Sequence, residues 1–250
     1  MSAPLWTVEA MAKAMAAQQS GKLPAGITGL SIDTRTVQPG EAFFAIKGDA
    51  RDGHEFVDAA LKAGAGLAVV AADKRDSFAK DAPLLVVSDV LEGLIALARA
   101  ARARSSAKFI GVTGSVGKTG TKEALRLALS SEGETHASAA SYNNHWGVPL
   151  SLARCPESAK YVVLEMGMNH AGEIAPLTKL VRPHVAIITT VEPVHLEFFA
   201  SVEAIADAKA EIFQGIEPGG AFGDPGHAPA AVGEGRDLRL EGHREHRGVD

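Results

Sequence analysis

The run of residues with the most specific chemistry is glycine-rich: residues 111–119 read GVTGSVGKT. An apolar run that predicts a strand comes before it, and a pattern that predicts a helix, residues 123–129, follows. Glycines let backbone N–H groups converge on an anion, which a helix N-terminus also favours. We therefore predict a phosphate loop in which Lys118 contacts the β- and γ-phosphates and the Thr119 hydroxyl binds Mg²⁺. The alternative is a glycine-rich loop without a ligand.

Lys209 is the second candidate, in a helical pattern over residues 202–216. It shares one helix face with an apolar stripe at helical spacing, formed by Val202, Ile205, Ile212, Phe213 and Ile216. A buried ammonium is costly unless it loses its proton, finds a partner or is modified. The alternative is a lysine at the edge of the stripe whose ammonium reaches solvent.

Two further candidates follow predicted strands. Glu165 ends the apolar run 161–164, and an acid at the carboxyl end of a strand can hold Mg²⁺ beside nucleotide phosphates. It could instead cap the following turn. His195 comes just after the strand pattern 185–190, although a lone loop histidine is more often a surface residue.

A group of polar side chains in the first part of the chain suits a different ligand. Ser31, Thr34, Arg35 and Lys47 flank a turn and a short strand, and we expect them on one polar edge. Hydroxyl, guanidinium and ammonium groups together suit a diphosphate and a sugar. The alternative is an exposed loop with scattered charges.

Asn143 and Asn144 lie in the segment SYNNHWGVPL, residues 141–150. Asparagine side chains both donate and accept hydrogen bonds, so they can orient amide or phosphate groups. The chain contains three asparagines in all, the third being Asn169. Asn143 and Asn144 are therefore candidate binding residues.

Charge, hydropathy and cysteine content argue against several classes of protein. The net charge of -5 offers no basic surface for nucleic acid, and no apolar run approaches the length of a membrane span. Residues 1–17 lack the pattern of a secretory signal. The single cysteine, Cys155, cannot form an intrachain disulfide, which suits a reducing cytoplasm.

The predicted elements alternate between strand and helix, which indicates an α/β protein with a mostly parallel sheet. We predict a small N-terminal domain over residues 1–106 and a second domain over residues 107–222. The predicted helices are 8–18, 55–63, 91–103, 123–129, 173–180 and 202–216. The predicted strands are 29–32, 42–46, 67–71, 84–87, 108–111, 161–164 and 185–189.

The last segment, residues 223–250, differs in composition from the rest. It is rich in charge and glycine, and it shows neither a helical nor a strand period. We expect it to be disordered or poorly packed. An out-of-frame tail with an early stop would explain the change near residue 223, and a divergent natural tail is the alternative.

Several of these segments together resemble the Mur ligases, a family of ATP-dependent enzymes that form amide bonds. The resemblance covers about residues 27 to 222 and rests on the segments 31–56, 113–119, 141–150, 165–174 and 208–213. Segments 31–56 and 165–174 are most similar to the branch that adds D-alanyl-D-alanine to UDP-N-acetylmuramoyl-tripeptide.

The resemblance implies a small UDP-binding α/β domain followed by an incomplete P-loop ATPase domain, without the family's third domain. The implied catalytic residues are Lys118, Lys209 and His195. The implied ATP-binding residues are Thr113, Gly114, Ser115, Val116, Gly117, Lys118, Thr119, Asn143 and Asn144. The implied UDP-substrate residues are Ser31, Thr34, Arg35 and Lys47. The implied Mg²⁺ ligands are Thr119, Glu165, His195 and Lys209, the last as a carbamylated lysine.

The implied reaction belongs to cytoplasmic peptidoglycan precursor synthesis, hence to cell-wall formation, cell shape and cell division. Its substrates are ATP, UDP-N-acetylmuramoyl-tripeptide and D-alanyl-D-alanine, and the protein is expected to be a monomer. Without a third domain, we expect little activity from this chain alone. Three alternatives stay open: another Mur or folylpolyglutamate-type ligase, a nucleotide-binding remnant without catalysis, and a P-loop kinase or GTPase.

Overall fold

The computed structural model describes residues 4–139, 142–193, 198–224 and 227–231 of the chain. These residues form an α/β structure with two mostly parallel sheets, as the sequence predicts. We call residues 4–106 the first unit and residues 107–231 the second unit. The boundary at residue 106 itself stays a prediction.

The first unit contains a five-stranded sheet and a short two-stranded ladder. The ladder pairs β1 (Trp6–Thr7) with β3 (Gly26–Ile27). The sheet strands are β2 (Gln18–Ser20), β4 (Leu30–Ser31), β5 (Ala42–Phe44), β6 (Leu67–Ala71) and β7 (Leu84–Val87). Their order across the sheet is β2, β7, β6, β5, β4, and the one antiparallel pair is β2 with β7.

Both faces of this sheet are covered. Phe43 and Phe44, neighbours on β5, are almost fully buried in two different apolar clusters, because successive side chains point to opposite faces. One face packs against α1 (Val8–Met15) and α3 (Val90–Arg104), and the other against α2 (Val57–Lys62). Parallel strands buried on both faces read as continuous apolar runs. For that reason the sequence predicts β6 and β7 with the observed bounds.

The second unit contains a six-stranded sheet. Its strands are β8 (Lys108–Thr113), β9 (Thr135–Ala137), β10 (Tyr161–Glu165), β11 (Val185–Ile188), β12 (Ala221–Asp224) and β13 (His227–Ala231). The order is β13, β12, β11, β8, β10, β9, and every neighbouring pair is parallel except β12 with β13. Its helices are α4 (Lys118–Ser130), α5 (Gly147–Ala153), α6 (Ile174–Val181) and α7 (Val202–Ala210).

The two units share one apolar core that runs from α1 and α3 into α5 and α6. Polar contacts close the same boundary. The indole N–H of Trp6 donates to the carbonyl of Ala153 at 2.9 Å. Arg154 donates through Nε to the carbonyl of Leu30 at 2.8 Å. These contacts position β1 and β4 beside the C-terminal end of α5.

Two predicted helices end earlier than their patterns suggest. The helix predicted over 8–18 ends at Met15, because Ala16 is left-handed (φ 49°) and Gln18–Ser20 pairs with β7 at the sheet edge. The helix predicted over 202–216 ends at Ala210 and continues as a 3₁₀ turn, Glu211–Gly215. The backbone of Gly215 lies so close to Thr178 that a Cβ there would be 2.3 Å from the Thr178 carbonyl carbon. Tertiary packing on α6 therefore overrides the local helical pattern.

Part of the atypical tail is regular, which differs from the prediction. Residues 227–231 form a strand, β13, antiparallel to β12, with a register shift between Phe222 and Asp224. The hydrogen bonds of a sheet edge are available to any segment of the chain that reaches it, whatever its side-chain pattern. Residues 225, 226 and 232–250 lie outside the described residues.

The sequence also did not predict α5, which is buried along its whole length. A helix with no exposed face has no amphipathic period to detect. Within the described ranges, no helix combines the length and apolar character needed to cross a membrane.

Candidate active site

The glycine-rich loop connects the end of β8 to the start of α4, as predicted. Gly114 (φ 148°) and Gly117 (φ 84°) adopt backbone angles that favour glycine. A Cβ on Gly114 would lie 2.0 Å from Oγ1 of Thr189, so only glycine allows this close approach. Lys118 is the first residue of α4, which places the loop at a helix N-terminus.

The side chain of Lys118 curls back over the loop. Its Nζ donates to the carbonyl of Gly114 at 2.8 Å and of Ser115 at 3.2 Å. Burial lowers the pKa of Lys118, and the negative charge of Glu165 partly offsets this shift. The ammonium is therefore held above the loop, next to the position expected for phosphates.

Glu165 is the centre of a cluster at the carboxyl end of β10. The side chain is 2% exposed. Its Oε2 accepts from the Thr119 hydroxyl at 2.9 Å, and its Oε1 accepts from Nδ2 of Asn143 at 2.8 Å. Register pairs Glu165 with Val112 on β8, which places the carboxylate directly beside the phosphate loop.

This cluster fits Mg²⁺ better than a metal with nitrogen or sulfur ligands. Carboxylate, hydroxyl and amide oxygens are hard ligands, and Mg²⁺ usually takes one or two carboxylates plus phosphate oxygens and water. In the described part of the chain, no salt bridge neutralises Glu165. Those residues also contain no cluster of three His, Cys, Asp or Glu side chains that could bind a metal alone.

Lys209 points inward, as its position on the helical stripe predicts. It is 2% exposed, and the described residues give its ammonium no hydrogen-bond or ion-pair partner. Burial, together with the smaller effect of the positive charge of Lys118, lowers the pKa of Lys209 to about 8. The amine is therefore much more easily deprotonated than an ordinary lysine.

His195, predicted as a metal ligand, lies outside the described residues. The segment just before it binds the phosphate loop. Ser115 N–H donates to the carbonyl of Thr190 at 2.9 Å, and Val116 N–H donates to the Thr190 hydroxyl at 3.2 Å. Thr189 donates to the carbonyl of Val116 at 2.5 Å.

The Ser115 and Val116 amides, which the prediction assigns to phosphate, are thus both bound by Thr190, which follows β11. Sequence reasoning missed Thr189 and Thr190. The signal that could have found them is their position after β11, at the edge of the sheet where β8 also ends.

A cleft of about 880 Å³ opens near the boundary of the two units. It is lined by residues of the first unit, among them Thr34 and Arg35, and by Tyr142 and Trp146 of the second unit. The exposed Arg35 guanidinium forms an ion pair with Asp33 at 2.6 Å. The hydrogen bond from Arg35 lowers the pKa of the Asp33 carboxyl.

The structure does not bring all four predicted UDP-substrate residues into this cleft. Ser31 is 1% exposed, and its hydroxyl forms a local turn by donating to the carbonyl of Asp33 and accepting from the Asp33 N–H. Lys47 is exposed and does not line the cleft, although its neighbour Gly48 does. Thr34 and Arg35 thus line the cleft, whereas β4 turns the Ser31 side chain inward, and the substrate role of all four residues stays a prediction.

The two candidate asparagines have different surroundings. Asn143 contacts Glu165, as described above. Asn144 accepts from the N–H of Trp146 and of Gly147 at 3.2 and 2.9 Å, and so orders the start of α5. Sequence reasoning quoted Tyr142 and Trp146 only as part of a motif. Their aromatic character on either side of two asparagines is the signal that could have marked them as cleft residues.

Sequence reasoning also missed Glu211, two residues after Lys209. Its Oε1 accepts from Gly172 N–H at 2.6 Å, and its Oε2 accepts from Ile174 and Ala175 N–H at 3.1 and 3.0 Å. Glu211 thereby caps α6 and ties the Lys209 helix to the loop after Glu165. No pattern in the sequence indicates this long-range cap.

Two family models match the chain on either side of this boundary. Residues 26–104 match the model described as "Mur ligase family, catalytic domain". Residues 112–223 match the model described as "Mur ligase middle domain". The glycine-rich loop from Val112 onward, Glu165 and Lys209 all fall within the second match.

Two similar curated proteins carry the same name. A protein of Rickettsia prowazekii named UDP-N-acetylmuramoyl-tripeptide–D-alanyl-D-alanine ligase is 40% identical over 185 residues, which are 74% of this chain and 40% of the relative. A protein of the same name from Bacillus subtilis is 38% identical over 198 residues, 78% of this chain and 42% of the relative. The chain spans about two fifths of the length of these relatives.

Solved structures of proteins named MurF are similar to this chain. A crystal structure of MurF from Acinetobacter baumannii has a TM-score of 0.75 and 34% identity, and the match covers 89% of this chain and 50% of that one. MurF of Thermotoga maritima in complex with ADP has a TM-score of 0.66 and 33% identity, over 78% of this chain and 45% of that one. With its two domain matches and these relatives, the chain belongs to the Mur ligase family.

Proposed function

We propose that this chain supplies the ATP site and the UDP-substrate site of a ligase that joins D-alanyl-D-alanine to UDP-N-acetylmuramoyl-tripeptide. The observation that carries the proposal is the Glu165 carboxylate, held by Thr119 and Asn143 beside the phosphate loop. The names of the relatives support the choice of substrates. The ADP complex of the Thermotoga structure supports the nucleotide.

The residues of the site suit phosphoryl transfer to a carboxylate. Lys118 and the loop amides would hold the γ-phosphate and offset the charge that spreads over its oxygens. The tripeptide carboxylate would attack phosphorus, which forms a new P–O bond and breaks the bond to ADP. The product of this step is an acyl-phosphate. The amine of D-alanyl-D-alanine would then attack the acyl carbon and release phosphate, a proton and the amide.

The loop must rearrange before it can hold a phosphate in this way. Ser115 and Val116 N–H groups are bound to Thr190 in the structure. Release of both amides would turn them toward the nucleotide. Lys118 must likewise exchange its two loop carbonyls for phosphate oxygens, which are stronger acceptors.

The Mg²⁺ site would be formed by Thr119 and Glu165, with His195 and Lys209 for a second ion. When bound, Mg²⁺ supplies charge neutralisation between the phosphates and the attacking carboxylate. Lys209 would take part as a carbamate. Its neutral amine attacks CO₂, an N–C bond forms, and one proton leaves to solvent. The anion that results removes the cost of burying an ammonium, and its oxygens suit Mg²⁺.

The cleft beside Arg35 would hold the UDP part of the other substrate. Thr34 supplies a hydroxyl and Arg35 a guanidinium for diphosphate oxygens, while Tyr142 and Trp146 supply aromatic faces. We place the reaction in the cytoplasm, in peptidoglycan precursor synthesis, and we expect a monomer.

The proposal is tested by product formation. The 250-residue chain is compared with a chimera that continues into the remaining residues of the Rickettsia relative. Each is given Mg·ATP, D-alanyl-D-alanine and UDP-N-acetylmuramoyl-tripeptide with either lysine or diaminopimelate as third residue. We expect the chain to bind Mg·AMP-PNP and the UDP-substrate by calorimetry, and the chimera to form the pentapeptide by mass spectrometry.

Other results would contradict the proposal in distinct ways. Ligation of a single amino acid but not the dipeptide would indicate another ligase of the family. Binding of both ligands with no phosphate release from the chimera would indicate a binding protein without catalysis. A phosphorylated product that does not react with amine would indicate a kinase.

A further inference from the structure

The segment between the cleft and Glu165 connects the two candidate sites directly. Of the described residues that line the cleft, only Tyr142 and Trp146 belong to the second unit. A ligand in the cleft therefore contacts the second unit through this segment. Asn143, between the two aromatic residues, donates to the Glu165 carboxylate at 2.8 Å.

Trp146 is set closely against the first unit. A Cβ on Gly48 would lie 2.8 Å from Cη2 of Trp146, so the indole rests directly on the Gly48 backbone. Gly48 also lines the cleft, together with Asp49, Ala50 and Arg51 from the same turn. Any movement of this turn onto a ligand must move the indole or lose the contact.

The segment is too constrained to absorb such a movement locally. Asn144 Oδ1 binds the N–H groups of Trp146 and Gly147, and the Asn144 carbonyl accepts from Val148 N–H at 3.0 Å. A Cβ on Gly147 would lie 2.5 Å from the backbone of Tyr142, so the two ends of the segment touch. Residues 142–147 thus behave as one compact turn at the start of α5.

The opposite side of this turn is hydrogen-bonded to Glu165 and to the segment that follows it. The carbonyl of Asn143 accepts from Gly167 N–H at 2.8 Å, two residues beyond Glu165. Glu165 Oε1 binds the Asn143 side chain, and Oε2 binds Thr119. A shift of the turn by about an ångström would lengthen the Asn143 to Glu165 hydrogen bond beyond a useful distance.

We propose that residues 142–147 form a coupling turn, in which Trp146 senses a ligand in the cleft and Asn143 is the positioning residue that orients Glu165 for Mg·nucleotide. The inference rests on the proposed function, because it takes the cleft to hold the UDP-substrate. It adds that binding in the cleft changes the nucleotide affinity, and by reciprocity the nucleotide changes the affinity of the cleft ligand by the same factor.

The two tryptophans of the chain allow the two events to be followed separately. Trp6 is 4% exposed and hydrogen-bonded in the core, whereas Trp146 lines the cleft. UDP-N-acetylmuramoyl-tripeptide is titrated by tryptophan fluorescence, with Trp146→Phe as the variant expected to lose the signal. Mg·AMP-PNP affinity is then measured by calorimetry with and without saturating UDP-substrate.

For the natural sequence we expect the Mg·AMP-PNP affinity to change about tenfold when the cleft is filled, within the usual range of such couplings. In Asn143→Ala and in Trp146→Ala, the ratio of the Mg·AMP-PNP affinities with and without UDP-substrate should fall to about one, while each ligand still binds. Asn169→Ala is the matched control, because the structure shows no contact of that amide with Glu165. The control should keep the natural ratio.

The outcomes separate this inference from the proposed function. If both ligands bind but independently in the natural sequence, the coupling turn is wrong and the proposed function stands. The same holds if Asn143→Ala and Trp146→Ala both keep the natural ratio. If the UDP-substrate does not bind at all, the proposed function fails first. A lower melting temperature with an unchanged ratio would show that the turn is only structural.

Discussion

Two lysines and one carboxylate dominate the electrostatics of the site at the scale of single residues. The negative charge of Glu165 raises the pKa of Lys118, while burial lowers it more strongly. Lys209 lies within reach of the Lys118 charge and gains no described partner of its own. A carboxylate and two ammonium groups without a bound anion leave an excess of positive charge, which a nucleotide phosphate would offset.

Lys118→Ala should weaken Mg·AMP-PNP binding by about 10- to 100-fold, because it removes a charge-assisted hydrogen bond to phosphate. Binding of the UDP-substrate should stay within about twofold, since no residue of the phosphate loop lines the cleft. Calorimetry with each ligand measures both effects. Lys108→Ala, an exposed lysine at the far end of β8, is the control. Equal losses for the two ligands would contradict the separation of the two sites.

Lys209→Met should stabilise the unliganded protein at neutral pH in CO₂-free buffer. The folded-state pKa of about 8 lies below the ordinary value of 10.5, so the unfolded chain binds more protons between these values. The penalty on the lysine protein is therefore complete below pH 8 and fades as the pH rises toward 10.5. By this linkage the gain from methionine should be about 2 to 3 kcal/mol at pH 7 and close to zero above about pH 10.5.

Urea unfolding at several pH values measures this gain. Lys179→Met replaces an exposed lysine on α6 and should change stability by less than about 0.5 kcal/mol. Added bicarbonate should raise the stability of the natural sequence but not of Lys209→Met, because only the lysine can form a carbamate. A destabilising Lys209→Met at pH 7 would show that the ammonium has a favourable partner.

At the scale of elements, the side chain of Glu211, which directly follows α7, binds the start of α6. The helical patterns in the sequence do not indicate this contact. Residue 173, at the start of α6, provides no side-chain cap, and Glu211 fills that role from across the fold. A carboxylate at a helix N-terminus is favourable both as a hydrogen-bond acceptor and for its charge. The same contact also fixes Lys209, two residues earlier in the chain, relative to the loop that follows Glu165.

Glu211→Ala should lower the free energy of unfolding by about 1 to 3 kcal/mol, because three backbone N–H groups lose their acceptor. Glu211→Gln, which keeps one acceptor oxygen, should lose less. Asp207→Ala removes an exposed carboxylate from α7 and is the control. Denaturant unfolding followed by circular dichroism gives the values. If Glu211→Ala is as stable as the control, the cap contributes nothing.

At the scale of the whole molecule, the two units share one apolar core. Trp6 lies at the boundary: its indole donates to Ala153, and the Arg104 guanidinium lies 3.4 Å from its ring centroid. Arg104 in turn donates to the carbonyls of Leu5 and Cys155.

Trp6→Ala should cost about 3 to 5 kcal/mol, as expected for a large aromatic side chain removed from a core. Because the units share that core, both should lose stability in one transition. Leu127→Ala, at a position 64% exposed on α4, should cost less than about 0.5 kcal/mol. Circular dichroism is the appropriate measurement, since Trp6 contributes to fluorescence. Two separate transitions in the natural sequence would show that the units unfold independently.

The strands of the fold were the most predictable part, and the reason is their burial. β6 and β7 are apolar along their whole length, and Gly66 and Pro83 come directly before them, so their starts can be read directly. Helix ends were less predictable. The end of α7 depends on the close approach of Gly215 to Thr178, which are far apart in the chain.

Within the site, motif residues were predictable and their partners were not. The phosphate loop, Glu165 and the burial of Lys209 followed from spacing and position relative to strands and helices. The contacts of Thr190 with the loop, and of Asn143 with Glu165, join segments separated by 74 or 22 residues. Ser31 and Lys47 do not line the cleft that Arg35 lines, because side-chain direction on and after a short strand depends on the packing around it, and their substrate role stays a prediction.

The amino-acid sequence by itself determined the α/β class, the family and the glycine-rich loop between β8 and α4, since these depend on local periodicity and on residues adjacent in the chain. Only the tertiary structure decided which groups meet: that Thr119 and Asn143 share the Glu165 carboxylate, that Glu211 caps a distant helix, and that two aromatic residues of the second unit complete the cleft of the first. The physical reason is that burial and hydrogen bonding act between segments brought together by sheet order and core packing, and local sequence preferences carry no information about either partner.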